Sequence, residues 1–333
     1  MSVRRRFFVT QALFGGGTLL VCCLAPLIGP TTISLTRVFD TAIPFAENVD
    51  AQIFFIARLP RMLAGALVGA TLASAGVVLQ ALLRNPLATP FTLGVSAGAS
   101  LGAMIVIIFG VRLSFLGVPA TPLASFAGSL VAVGLVYSLA RARGRGLSTN
   151  VLLLAGVTLN SLFSATILFV QYLADFSESF RAIRWVMGNL DVSSYDPILS
   201  ALPMVGLAFV AFATLPRTLN LLALGTDHAA TRGVNVLAAQ RLAFVSASLA
   251  TGAAVSVGGP IGFIGIIVPH IVRLLVGADH RVVLPASAML GAAFLVTCDV
   301  GARTLMSPVE LPVGVITALL GGPFFLWLLI RHS

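Results

Sequence analysis

The chain contains no lysine; its 20 Lys/Arg positions are all arginine. A nucleotide-binding P-loop needs a lysine to reach the terminal phosphates, and a Schiff base needs a lysine amine, so this polypeptide supplies neither. Cysteine is almost as scarce. Cys22 and Cys23 are neighbours in one apolar run and Cys298 ends another, which gives no CxxC metal knuckle and no disulfide framework. Charge of any kind is thin, at 9% of 333 residues, against about 25% in a soluble domain. With 58% hydrophobic residues and a mean hydropathy of +1.04, there is too little polar surface to cover a globule in water. A soluble enzyme and a disordered chain are both excluded. The formal charge of +9 reads as arginine-bearing loops that set membrane topology, not as a nucleic-acid surface.

What the chain does have is long apolar runs. A membrane-spanning helix needs about 20 mainly apolar residues. Ten runs qualify, roughly 7–29, 62–83, 91–111, 116–140, 151–173, 198–216, 242–258, 260–278, 282–298 and 311–330. The seventh and eighth form one stretch divided at Gly258-Gly259-Pro260, a tight-turn signal. Arg4, Arg5 and Arg6 precede the first run as in a secretory signal, but the run is too long for one and no A-x-A site follows, so it reads as a retained span. The expectation is an all-α polytopic membrane protein with one transmembrane domain over residues 1–333. With the N-terminus inside, 13 arginines fall in inner segments and 7 in outer ones, an asymmetry that favours both termini inside. Gly65 and Gly69, then Gly94, Gly98 and Gly102, predict close helix packing.

The membrane interior has little chemistry to offer. Between residues 62 and 173 no predicted span contains Asp, Glu or His. Asp299 and Arg303 are four apart, which predicts a structural ion pair at the outer rim. His270 is alone in its span, and His228 and His280 sit in inner loops without companion ligands. No HExxH, EF-hand or carboxylate cluster occurs, so no metal site is expected. A weakly polar path suits a large solute whose charge or metal is already enclosed. Two readings of other classes stand beside that one. The first is a secondary carrier independent of ATP. The second is an intramembrane enzyme using His270 with Asp279, His280 and Arg281.

The most informative stretches are RLPR at 58–61, QALLRNPLATPFTLGVSAGAS at 80–100, LSTNVLLLAG at 147–156, WVMGNL at 185–190 and LNLLALGTDHAATRGVNV at 219–236. GFIGIIVPHIVRLLVGADHRVVLPASAMLGA at 262–292 and ELPVGVITALLGGPFFLWLL at 310–329 complete the set. In this order and over nearly everything after residue 57, the chain resembles permease subunits of ABC importers for ferric siderophores, haem or cobalamin.

The resemblance implies a ten-helix subunit of the type II importer kind, paired with a second copy as a homodimer, with the translocation path between them. A heteromeric partner of similar type is the variant of that arrangement. Two separate ATPase subunits bind ATP and Mg, a periplasmic or lipid-anchored substrate-binding protein docks above, and the site is a bacterial inner membrane. No cofactor belongs to the chain itself, and its role is transport without an ATPase site.

Residues carry over by motif. The 219–236 loop matches the ATPase-coupling element, with Asn220, Leu221, Leu224, Gly225, Asp227, Arg232 and Gly233 as its candidate residues. Its own chemistry agrees: Leu221, Leu222 and Leu224 give an apolar face, Gly225 ends one short helix, and Thr226 or Asp227 caps the next. Arg58, Arg61 and Arg303 match positions that hold acidic residues of the binding protein, and membrane-interface anchoring is their alternative role. Asn85 and Leu87, with Ser148, Thr149 and Asn150, match gate regions at the inner face; Ser148 or Thr149 also suits an N-cap of the fifth span. Where relatives often carry an acid, this chain has Thr89, so no charge-based contact is expected at that turn.

Overall fold

In the computed structural model the structure describes residues 3–111, 113–115, 118–141, 149–192 and 194–332. It is a helical bundle. The first helix, α1, spans Val3–Leu24 and ends in a 3-10 turn at Ala25–Leu27, where Pro26 cannot continue the ladder. Two single-turn helices follow, α2 (Leu35–Val38) and α3 (Val49–Gln52). A π-helical turn at Ile53–Arg58 then runs into α4, Leu59–Leu83. Next come α5 (Val95–Ile108), a small hairpin pairing β1 (Ser114–Phe115) with β2 (Val118–Pro119), α6 (Ala120–Arg141) and α7 (Thr149–Tyr172). The second half holds α8 (Phe176–Val186), α9 (Asp196–Thr214), α10 (Pro216–Ala223), α11 (Thr226–Thr231) and α12 (Val236–Gly258). It closes with α13 (Ile264–Val276), α14 (His280–Thr304) and α15 (Val313–His332).

Ten of these helices fall on the ten apolar runs. Seven are long and apolar enough to cross a membrane by length and composition; α5, α13 and the apolar part of α15 are shorter. Several boundaries differ from the runs, and two of the differences share a cause. α12 begins at Val236 and α14 extends to Thr304, beyond the apolar runs, because Arg241 and the Asp299–Arg303 pair interrupt hydropathy without interrupting helical hydrogen bonding. The turn at Gly258-Gly259-Pro260 is present, with Gly259 at φ +67°.

α4 is the central helix, buried along most of its length and packed by α12, α13 and α14. The glycines explain how. A methyl group at Gly69 would collide with the carbonyl of Gly291 on α14, and one at Gly98 would stand 2.6 Å from both the Ala132 methyl and the Gly128 carbonyl on α6. The helix backbones touch directly there, as small residues allow in lipid. In contrast, α1 is largely exposed along its sides. It is tied to the bundle by Gln11 donating to the Val282 carbonyl at 3.3 Å and Thr18 donating to the Met289 carbonyl at 2.8 Å.

Candidate functional site

The end of the bundle where α1 begins and α15 finishes bears a two-helix knob. Pro216 opens α10, where its missing N–H satisfies nothing that is lost. Leu219 and Leu222, three residues apart, are fully buried; Leu221 is half-buried and Leu224 is 68% exposed. The expected leucine face therefore divides, one part anchoring the knob and Leu224 projecting from it. Gly225 takes φ +124° and turns the chain into α11. The expected capping by Thr226 or Asp227 is corrected. Gly225 occupies the cap, no side chain closes it, and Thr226 and Asp227 lie inside the first turn, where Asp227 adds negative charge at the positive helix end. Asp227, Arg232 and Gly233 are exposed. Gly233 at φ +81° releases the chain toward α12, whose Asn235 cap accepts the Ala238 N–H at 3.0 Å.

Asn220 fastens this knob to the start of α14. Its side-chain amide donates to Asp279 Oδ1 at 2.8 Å, and its Oδ1 accepts the His280 backbone N–H at 2.9 Å, with His280 Nδ1 2.7 Å away. Arg281 forks onto Asp279 through Nε and Nη2, the latter at 2.7 Å from Oδ2. Arg281 and then Asn220 hold the Asp279 carboxyl well below the usual carboxylate range. Sequence reasoning missed this latch, since nothing local links residues 59 apart.

At the same end, Asn85 and Pro86 break the chain after α4. Arg84 adopts a left-handed conformation, and Asn85 Oδ1 accepts the Leu87 N–H at 2.9 Å, an Asx turn. Leu87 is exposed. Thr89 is buried and consumed by the turn, exchanging hydrogen bonds with Thr92. Thr149 opens α7 and Asn150 is exposed, while Ser148 lies outside the described residues. The turn that carries Asn85 and Leu87 abuts α7 at Gly156, where a methyl would sit 2.7 Å from Leu93 Cα, about two helical turns past Thr149. Buried Gln80 ties α4 to α13 nearby, donating to the Gly265 carbonyl at 2.8 Å and accepting from Arg273.

The opposite end holds a buried arginine cluster. Arg61 donates to Asp299 Oδ1 at 2.8 Å and to Glu310 at 2.6 Å. Arg303 lies 3.6 Å from Asp299 Oδ2 and donates to the Ala25 carbonyl at 2.8 Å. Arg58 donates to the carbonyls of Pro26, Leu27 and Thr31. The predicted Asp299–Arg303 pair is thus present, inside a larger network. The expectation that Arg58, Arg61 and Arg303 stand exposed to meet a partner's acids is corrected. They are 4%, 7% and 3% exposed, and backbone carbonyls, Asp299 and Glu310 of this chain take most of their donors, the Arg303 Nε staying without a hydrogen bond. One signal for this lay in the sequence: the ten-run topology brings Asp299 and Glu310 to the same end as RLPR.

Comparison with known proteins follows the same outline. The FecCD transport family matches residues 17–331, which extends the likeness into the first helix. The hemin transport system permease protein HmuU of Yersinia pestis is 40% identical over 306 residues, 92% of this chain and 90% of its own. The cobalamin import system permease protein BtuC of Halobacterium salinarum is 43% identical over 297 residues, 89% of this chain and 78% of its own. A solved structure of a metal-chelate type ABC transporter, in an inward-facing conformation, aligns with a TM-score of 0.82 at 32% identity, covering 96% of this chain and 99% of that one. With its family model matched over residues 17–331 and permease relatives aligned over about nine-tenths of its length, the chain belongs to the FecCD transport family.

Proposed function

We propose that the chain is the transmembrane subunit that carries a ferric siderophore across a bacterial inner membrane, with haem or cobalamin as the alternative cargo. The hemin and cobalamin relatives and the metal-chelate neighbour support that solute range. Two copies form the path, separate ATPase subunits bind ATP and Mg, and a substrate-binding protein delivers the solute. Residues 1–333 act as one transmembrane domain. The arginine asymmetry supports a cytoplasmic location for both termini and for the knob.

One observation carries the coupling reading. The knob has an apolar tip, Leu224, and a latch, Asn220 to Asp279 and His280, that ties it to the start of the long helix α14. A push on Asn220, Leu221, Leu224, Gly225, Asp227, Arg232 or Gly233 by an ATPase reaches α14 through hydrogen bonds instead of a slack loop. The turn at Asn85 and Leu87 and the start of α7 at Ser148, Thr149 and Asn150 serve as the inner gate. The buried Arg58, Arg61 and Arg303 cluster shapes the outer surface that the binding protein meets and does not itself supply free charge.

Reconstituted uptake tests the reading. The permease with its ATPase and binding protein should accumulate radioiron siderophore only when ATP is hydrolysed. Uptake by the permease alone under an ion gradient would favour a secondary carrier and reject the proposal.

A further inference from the structure

A second polar site lies at the end opposite the knob, on the face the arginine asymmetry places outside. It is a cavity of about 270 Å³ lined by Arg181, Arg184, Trp185, Asn189, Asp191 and the Val257–Gly258 end of α12. Helix α8 builds it. Asp175 caps α8 with a reciprocal capping box to Glu178, which fixes the helix start. Arg181 and Arg184, three residues apart, then share one face. Both are exposed, and among the described residues neither closes an ion pair with a carboxylate.

Two hydrogen bonds tie the far wall together. The Asn189 backbone N–H donates to the Gly258 carbonyl at 2.9 Å, and the Asn189 side-chain oxygen accepts the Asp191 N–H at 3.0 Å. The Asn189 amide NH2 therefore remains a donor beside the two guanidiniums. Asp191 is the one acid of the lining, so two arginines less one aspartate leave a formal charge of +1. The indole of Trp185 is half-buried at the same wall.

We propose that this cavity is a recognition site for a carboxylate arm of the transported solute. Paired guanidiniums present planar forks that match carboxylate geometry, and Asn189 adds a third donor. The volume argues for an arm: whole small molecules occupy sites of roughly 300–1,000 Å³, and this space is smaller. The concave, tryptophan-walled shape favours a small-molecule group over a protein side chain on a flat docking face. The inference rests on the importer reading for its purpose, and it selects anionic chelates within that solute range.

Trp185 allows a direct test, because the chain has only two tryptophans. In full-length Trp327→Phe chain, held in phosphatidylcholine nanodiscs, iodide quenching of Trp185 should exceed that in the same chain carrying Arg181→Gln and Arg184→Gln by roughly threefold, as expected for a local potential near one kT. Neutral acrylamide should quench both equally. Citrate should suppress iodide quenching saturably, its tricarboxamide analogue should not, and Arg37→Gln at the same end should leave the citrate effect intact. Equal iodide quenching in the double variant, or no citrate effect, overturns the proposal. Loss of the citrate effect on adding phosphatidylglycerol to the discs also overturns it, by assigning the site to lipid phosphate. No ATPase or binding protein is present in this assay, so its failure is separate from failure of ATP-driven uptake.

Discussion

Asn220 gives a hydrogen bond to Asp279 and takes one from the backbone of His280, so a single side chain clamps α10 to the first turn of α14. Removing it leaves a buried helix start and a carboxylate each short of a partner. Asn220→Ala should cost about 1–3 kcal/mol of local stability and lower solute moved per ATP hydrolysed more than it lowers ATPase rate. Uptake and phosphate release, measured on the same proteoliposomes, check this.

Leu224 should behave in the opposite way. It is 68% exposed, so Leu224→Arg should leave thermal unfolding of the isolated permease unchanged within about 0.5 kcal/mol. Co-purification of the ATPase subunit should nevertheless fall sharply. Unfolding in detergent and pull-down of the ATPase separate the two effects.

The carboxylate of Asp279 has a lowered pKa, held down by Arg281 and Asn220. A group of this sign contributes stability above its unfolded pKa and loses it as pH falls through the folded value. The Asp279 contribution should therefore be constant from neutrality down to about pH 5 and be lost only in stronger acid, with unfolded Asp near 3.9 as the upper edge. Asp279→Asn should remove the part of the acid limb below about pH 4 from a plot of melting temperature against pH.

At the other end, Asp299 is 2% exposed between Arg61 and Arg303. Asp299→Asn leaves two buried guanidiniums short of their counter-charge and should destabilise the chain by about 3–5 kcal/mol. Glu310→Gln should cost far less, since that side chain is 44% exposed and water screens it. Detergent-solubilised melting curves of the two variants give the comparison.

Gly69→Ala drives a methyl into the Gly291 backbone, an overpacking that should cost about 1–3 kcal/mol. Gly16→Ala, with open space around its Cβ position, should be neutral or gain up to ~1 kcal/mol from helix propensity. The pair of melting temperatures distinguishes backbone contact from glycine content.

The ten apolar helices, the Gly258-Gly259-Pro260 turn and the knob were legible because hydropathy and Gly/Pro punctuation act over a few residues. The ends of α12 and α14 were not. Arg241, Asp299 and Arg303 break an apolar run, yet a helix needs only its own backbone bonds to continue. The arginines were misread for a related reason. Whether Arg61 faces outward depends on Asp299, 238 residues away, and no local pattern reports that. Leu224 could have been separated from Leu222 by spacing alone, since 219 and 222 share a helical face and 224 does not.

The ties on α1 set an order of events during synthesis. Thr18 waits for Met289, and Ala25 waits for Arg303, separations of 271 and 278 residues. At about 5–20 residues per second, the earliest helix made stays unmoored in the bilayer for on the order of tens of seconds.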